Sequence, residues 1–477
     1  MKMKYSMAKN LVLSSLSTMS YVFLFILLTT VGKVSGSYQY GIYTTALSLA
    51  NIFEIFTDFG LRDTSVRNVA RNKLLTGDYL GGLLIWKGLL SLLTFLLVYL
   101  LIHLMGYASD IRLIIYILTI SAFLKNYKYT LRSFLQIHDY FQWDTFLVFI
   151  ERFGLMTVGL AVILKWKVIL PLAIGTVIVR IIDVGIILYL LNSKIAPIRL
   201  KTNFPFMLTL QKEAFPLGLY FLIVITFSYI DSVMLSLIKT YHHVGLYNAA
   251  FRIYEGATLL PSIFWMVFLP RLSELYPIAK ERYLKLSFIG IKFLILFALP
   301  IVSYGYLFSD KIIIFFFNND FLPAIITLKI LLLGLLFQYL SWMLNAILIS
   351  MDRQKAIFAL GGIALAVKVA LNSLFIPSMA NNGAALATFI SEFAFFTAVT
   401  IYLKLIDFHL PILRFMLKPL LAALAMYFVG FRITNWPLPL VIFICGLIYF
   451  ISLFLTKAID QGELQSLQKY WKSAWKS

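Results

Sequence analysis

About fourteen long apolar runs lie between Leu11 and Thr456, most of them near the ~20 residues that a helix needs to cross hydrocarbon. A water-soluble core has no use for unbroken runs, since a surface helix buries only one apolar stripe. Hydrophobic residues make up 61% of the 477 and charged residues 13%, which excludes a disordered chain and argues against a soluble enzyme. The expected spans are 11–31, 40–59, 80–105, 111–131, 143–164, 168–191, 215–238, 244–268, 287–308, 322–349, 356–376, 383–403, 412–431 and 437–456. The first is too long for a signal-peptide core and no small-residue cleavage site follows it, so it reads as a retained span. The fourth is interrupted by Lys125 and Lys128, and the second meets Glu54 and Asp58 near its end.

An even number of spans puts both termini on one side. Assigning the Lys and Arg of the loops and span ends to alternating sides gives 27 on the side of the termini and 7 on the other. Basic residues accumulate on the cytoplasmic side of membrane proteins, so both termini are expected in the cytoplasm. The same distribution explains the net charge of +20 without a nucleic-acid partner: basic loops face anionic lipid. Loops are short throughout. The longest, 192–214, carries Pro197 and Pro205 and leaves no room for a soluble domain.

The residues that would support an enzyme or a metal centre are few. Cys445 stands alone, and the five histidines at 103, 138, 242, 243 and 409 form no HExxH. The chain also lacks the GxxxxGK[ST] of an ATP site. No cofactor is expected, and direction must come from sodium or proton coupling or from consumption of the product.

A weak internal repeat runs through the chain. Gly41-Ile42-Tyr43 opens the second span and Gly245-Leu246-Tyr247 the eighth, and at the same offset Arg67 matches Arg271. This pairs span two with span eight, as two six-helix halves of like orientation would. Parallel repeats around an axis along the membrane normal imply a central cavity and alternating access.

Ionisable residues inside spans are expensive and usually face a cavity or a partner. The basic ones are Lys87, Arg152, Arg180, Arg252, Lys292, Lys329 and Lys368. The acidic ones are Glu54, Asp58, Glu151, Asp183, Asp231, Glu255 and Glu392. Arg180/Asp183 and Arg252/Glu255 are spaced three apart, as helical ion pairs are. Glu54, Asp58 and Arg62 form an i,i+4 series in which the carboxylates accept a cation or pair with Arg62. Asp231, deep in span seven, is a proton or sodium site candidate, because desolvation favours the neutral acid. Pro216 reads as a bend or a tolerated first-turn proline at the start of span seven, Pro261 and Pro270 as bends in or beside span eight, and Asn381-Asn382-Gly383 as an exposed turn. A water-filled interior with several cations favours an anionic substrate, and arginine matches phosphate oxygens well.

Three stretches carry a resemblance to a known family: GSYQYGIYTTALSLANIFEIFTDFGLRDTSVRNVAR at 36–71, DSVMLSLIKTYHHVGLYNAAFRIYE at 231–255 with LPRLSELYP at 269–277, and NNGAALATFISE at 381–392. They resemble the polysaccharide-biosynthesis flippases of the O-antigen type, in the superfamily of multidrug and toxin extrusion transporters. The resemblance implies an all-α polytopic membrane protein with two parallel six-helix lobes, 1–191 and 215–404. A cytoplasmic inter-lobe loop, 192–214, and two further helices with a tail, 405–477, complete it. It implies a non-enzymatic transporter in the cell membrane that moves a polyprenyl-(pyro)phosphate-linked oligosaccharide between leaflets. Expected partners are that lipid-linked glycan, membrane lipids and a glycan polymerase or glycosyltransferases of the same pathway. In related folds spans one, two, seven and eight line the cavity. Carried onto this chain, Arg252, Arg62, Lys33 and Lys292 are candidates for substrate binding, and Asp231, Glu255, Glu54 and Asp58 for ion coupling or charge partnering. Two rivals remain. A cation-coupled drug exporter of the same fold would want an acidic, aromatic cavity. A membrane-embedded glycosyltransferase or polymerase would want a long outer loop.

Overall fold

The computed structural model describes residues 19–458 except 196, 199, 201, 202 and 277. The start of the first expected span, and Lys2, Lys4, Lys9, Arg199, Lys201, Lys469, Lys472 and Lys476 of the charge count, lie outside the described residues. All regular structure among the described residues is helical. A helix satisfies its backbone internally, which is what a lipid-immersed segment requires.

The first arm of the chain is α1 (Tyr21–Glu54), followed by a short 3-10 turn and the small helix α2 (Leu61–Arg71). Four long helices come next: α3 (Thr76–Leu104), α4 (Ser109–Ile137), α5 (Phe141–Trp166) and α6 (Ile169–Lys194). Then come α7 (Phe204–Ile238), α8 (Tyr241–Ala257), α9 (Leu259–Leu275), α10 (Lys280–Leu307) and the short α11 (Ser309–Phe316). The last are α12 (Ala324–Ser350), α13 (Gln354–Leu405), α14 (Ile412–Arg432) and α15 (Leu438–Leu455). Among the described residues ten stretches are long and apolar enough to cross a membrane. Two of these, Tyr21–Thr57 and Gln354–Leu405, each hold a pair of the expected spans. Gly36 (φ 76°) breaks α1 and Ala380 (φ 49°) breaks α13, so in both places a single residue replaces the expected loop. Asn381 and Asn382 do not form an exposed turn. Asn381 is buried and donates to Thr327 Oγ1 at 2.8 Å, while Asn382 Oδ1 accepts from the same hydroxyl at 2.7 Å. A reversal this tight inside a lobe must satisfy its polar groups locally, and the two carboxamides do so.

Other boundaries move for identifiable reasons. Helix α7 begins at Phe204, capped by Asn203, whose Oδ1 accepts from Phe206 N at 3.2 Å. Much of the expected 192–214 loop is therefore helical, and Pro216 sits inside the helix rather than in its first turn. The α8–α9 break falls at Thr258, three residues before Pro261, which has no N–H to give and whose ring crowds the carbonyl four residues back. Helix α4 continues unbroken through Lys125 and Lys128 to Ile137, although these lysines mark a span end in the sequence.

Contacts divide the chain into two compact units, one up to Asn248 and the other from Ala249, with the boundary inside α8. In the first unit α4 packs on α1 and α6, and α5 on α1 and α6. A core of Leu61, Leu83, Trp86, Phe134, Leu147 and Leu191 joins α2 through α6. Helix α2 is launched by Gly60 at φ 86°, a left-handed position that suits glycine. In the second unit α12 packs on α9, α10 and α13, and α14 lies along α10. Tyr449 Oη of α15 donates to the Leu296 carbonyl of α10 at 2.8 Å, which ties the last helix to the lobe.

The two copies of the Gly-x-Tyr repeat meet within the first unit. A Cβ on Gly41 would overlap the Tyr241 carbonyl oxygen and lie 3.0 Å from Gly245 N; one on Gly245 would overlap the Ser37 carbonyl oxygen. Only residues without a side chain let the backbones approach this closely. Ser37 Oγ and His242 Nδ1, 2.6 Å apart, lock the crossing.

Candidate functional site

The sequence brings charge into the spans, and the fold decides which charges stay available. Helix α4 presents Lys125, Lys128 and Arg132 at i, i+3 and i+7, which places them on one face. Each meets a carboxylate from a neighbouring helix. Lys125 Nζ lies 2.5 Å from Glu54 Oε2 and donates to Asn51 Oδ1 at 2.6 Å. Lys128 pairs with Glu151. Arg132 Nε and Nη2 grip both oxygens of Asp144 at 2.5 and 3.0 Å. Lys87 of α3, 1% exposed, donates to Asp58 Oδ1 at 2.6 Å, to Thr130 Oγ1 at 2.5 Å and to Asn126. Arg152 donates to Ser20 Oγ at 2.8 Å and lies over the Tyr21 ring at 3.6 Å. The result is a buried and nearly neutral ion network. Such a network is costly to break, because removing one partner strands the other.

This assigns Glu54 and Asp58 to lysines. The Glu54–Asp58–Arg62 series does not form, because the chain leaves the α-helix at Ile55 and turns through Phe59 (φ 42°) and Gly60 (φ 86°). Arg62 instead pairs with Asp63 at 3.0 Å, and only its backbone N–H reaches Asp58 Oδ2, at 3.2 Å. Nor do Arg180 and Asp183 pair. Arg180 Nη1 donates to Ser121 Oγ at 2.8 Å and its Nε lies 3.9 Å from Glu151 Oε1. Both Asp183 oxygens are buried with no hydrogen-bond partner among the described residues.

The remaining candidates fall into different surroundings. Asp231 is fully buried in the first unit and accepts from Tyr247 Oη at 2.8 Å, the tyrosine of the second Gly-x-Tyr copy. Lys33 is exposed on the first arm of α1. In the second unit Arg252 pairs with Glu255 across one helical turn, as their spacing suggests. The arginine side chain keeps 20% of its surface open and the glutamate 42%. Lys292 of α10 is half-buried, Lys329 lies 5.2 Å from the Tyr306 ring, and Lys368 is buried. The fold thus gathers Glu54 and Asp58 with Lys125 and Lys87, keeps Asp231 with Tyr247, and leaves the Arg252–Glu255 pair reachable. The α4 bases were missed as interior groups because closely spaced lysines look like a cytoplasmic loop; their i, i+3, i+7 spacing was the available signal. No cluster of His, Cys, Asp and Glu suited to a metal occurs among the described residues.

Residues 6–276 match the sequence profile of the family described as Polysaccharide biosynthesis protein. Among curated proteins nothing matches. Among solved structures the chain is similar to the lipid II flippase MurJ in an inward closed conformation (TM-score 0.77, 19% identity, 92% of this chain and 97% of that one). It is also similar to an inward-facing multidrug resistance MATE family transporter of the MOP superfamily (TM-score 0.63, 13% identity, 83% and 97%). A third similar structure is the Vibrio cholerae MATE transporter VcmN in the bent form (TM-score 0.53, 16% identity, 85% and 98%). At these identities the likeness speaks to fold, and the fold is that of polytopic transporters.

Proposed function

From the premise that this chain belongs to the polysaccharide biosynthesis protein family, we propose that it is a flippase. It carries a polyprenyl-(pyro)phosphate-linked oligosaccharide from the cytoplasmic to the outer leaflet of the cell membrane by alternating access. A hydrated, charged headgroup cannot cross hydrocarbon unaided, since stripping water from phosphate and hydroxyls is costly. A transporter lowers that barrier with a polar route while the lipid tail stays in the bilayer.

The observation that carries this reading is the Arg252–Glu255 pair: a guanidinium held in an apolar helix with part of its surface open. Arginine offers a planar fork that fits phosphate oxygens, and Glu255 keeps that fork oriented until an anion replaces the carboxylate. Lys292 adds charge in the same unit, and Arg62 or Lys33 assists at a mouth of the route. Asp231, a buried carboxylate, or Glu255 couples turnover to sodium or protons. Glu54 and Asp58 act as charge partners of Lys125 and Lys87, holding the first unit rigid. Both termini lie in the cytoplasm, membrane lipids surround the protein, and the polymerase or glycosyltransferases of the pathway consume or supply its substrate. The protein makes and breaks no covalent bond in this scheme.

The test is a leaflet-resolved assay in proteoliposomes with lipid-linked glycan. The native protein moves the glycan to the opposite leaflet, and Arg252→Ala inserts normally but moves none. Full transport by a well-inserted Arg252→Ala variant overturns the phosphate role. Rates indifferent to imposed sodium and proton gradients remove the carboxylates from coupling.

A further inference from the structure

Helix α12 is largely apolar, and half of its six Thr, Lys, Ser, Gln and Asn side chains have a structural task. Thr327 clamps Asn381 and Asn382 at the α13 break, Lys329 lies over Tyr306, and Ser350 meets Tyr283 Oη at 2.8 Å. Three polar residues remain: Gln338, Ser341 and Asn345. The oxygens Gln338 Oε1, Ser341 Oγ and Asn345 Oδ1 are each shielded and have no hydrogen-bond partner among the described residues. Ser341 is 4% exposed, yet it does not make the bond to the carbonyl four residues back that a helical serine commonly makes. Three unsatisfied acceptors on one span are a standing cost unless something visits them.

Their positions put them together. Residues 338, 341 and 345 share one helical face, and Trp342 stands among them. The Trp342 ring meets Trp265 of α9 edge to face, with centroids 6.4 Å apart, so this face looks onto α9. Gln338, Trp342, Asn345 and Trp265 are only half-buried. A carboxamide open to hydrocarbon is unfavourable, so a face that keeps two of them partly open is one that lines a polar route.

We propose that Trp265, Gln338, Ser341, Trp342 and Asn345 form a sugar-binding subsite in the second unit, for the glycan of the lipid-linked substrate. The proposal rests on the flippase reading and adds where the sugar, rather than the phosphate, is held. A pyranose has an apolar face of C–H groups and a rim of hydroxyls that donate and accept. Indole supplies a large flat apolar surface, and a carboxamide offers an acceptor and two donors to the rim. Few polar groups placed among aromatics is the usual composition of a small-molecule site.

Distance along the helices agrees with such a substrate. Tyr339 Oη donates to the Ala257 carbonyl at 2.6 Å, which sets the register of α8 against α12. The 257–339 and 265–342 contacts advance together, so α12 runs in the same direction as α8 and α9. Arg252 lies five residues before the first contact and Trp342 three after it, a separation of about 12 Å at the helical rise. A pyrophosphate bound at Arg252 would extend its first sugars toward Gln338 and the indoles.

The test uses the full chain in lipid nanodiscs and two probes. One is bare polyprenyl diphosphate; the other is the lipid-linked glycan extracted from source cells lacking this protein. The native chain is expected to bind the glycan-bearing lipid more tightly than the bare one. Trp342→Ala, and separately the double variant Gln338→Leu/Asn345→Leu, should weaken the glycan-bearing lipid at least tenfold and leave the bare lipid within twofold. Trp342→Phe, which keeps an aromatic surface, should recover most of the loss and guards against a folding defect. Unchanged glycan-lipid affinity in both variants overturns the subsite, as does native protein that fails to prefer the glycan-bearing lipid, while the flippase reading stands. Native protein that binds neither lipid overturns the flippase reading and the subsite with it.

Discussion

At the scale of single residues, the buried ion pairs of the first unit divide structure from function. Lys87 is enclosed with Asp58, and a neutral residue in its place leaves a carboxylate in an apolar interior. Lys87→Met is expected to cost about 3–5 kcal/mol and to lower the melting temperature of the purified protein. Adding Asp58→Asn should recover much of that loss, because a stranded charge is then no longer present. An unchanged melting temperature in Lys87→Met would show that the pair holds nothing together. Arg252→Ala, by contrast, should leave the melting temperature near native, since its pair with Glu255 is partly open to solvent and screened. The sequence identified Lys87, Glu54, Asp58, Glu151, Arg252 and Glu255 as intramembrane but missed Lys125, Lys128, Arg132 and Asp144 as interior groups. It could not say which carboxylate each base meets, because the partners lie on different helices. The exception was Arg252/Glu255, whose spacing is local. The Glu54–Asp58–Arg62 series failed for a local reason as well: i,i+4 logic needs a continuous helix, and the left-handed Phe59 and Gly60 end it.

At the scale of elements, close approach is the theme. Gly245→Ala should loosen the crossing of α1 and α8, lowering thermal stability and transport together, because the new methyl meets the Ser37 carbonyl. Gly446→Ala is the matched control, since nothing lies within 4 Å of its added Cβ. Equal behaviour of the two variants in a thermal-shift assay would contradict the close packing. At the α13 break, Thr327→Val removes a hydroxyl shared by Asn381 and Asn382 and should cost about 1–3 kcal/mol. The apolar runs located most spans to within a few residues, because hydrocarbon thickness dictates their length. That the segments of Gly41 and Gly245 touch was not legible from their shared Gly-x-Tyr pattern. The breaks at Gly36 and Ala380 fall inside the expected loops 32–39 and 377–382; what the sequence hid was that one residue suffices at each. Pro216 was misplaced because α7 extends beyond its apolar stretch, capped by Asn203.

At the scale of the whole molecule, the distribution of Lys and Arg makes a directional claim that labelling can check. With Cys445 replaced by alanine, a cysteine at Lys167 should react with a membrane-impermeant maleimide added to intact cells. A cysteine at Asp139 should react only after lysis. The two positions flank opposite ends of α5, so the reverse pattern would invert the topology. The all-helical architecture was legible from the apolar runs, whereas the Trp265–Trp342 contact between α9 and α12 was not, because it joins residues far apart in the chain. The paired bases of α4 also bear on biogenesis. A basic residue near the centre of an inserting helix costs about 2.5–3.5 kcal/mol, and α4 brings several basic groups with it. Its acidic counterparts arrive in two instalments: Glu54 is synthesised before it, Asp144 and Glu151 after. During translation α4 is thus a poor solo entrant to the bilayer: Lys125 finds Glu54 already made, whereas Lys128 and Arg132 find their carboxylates only once α5 has emerged.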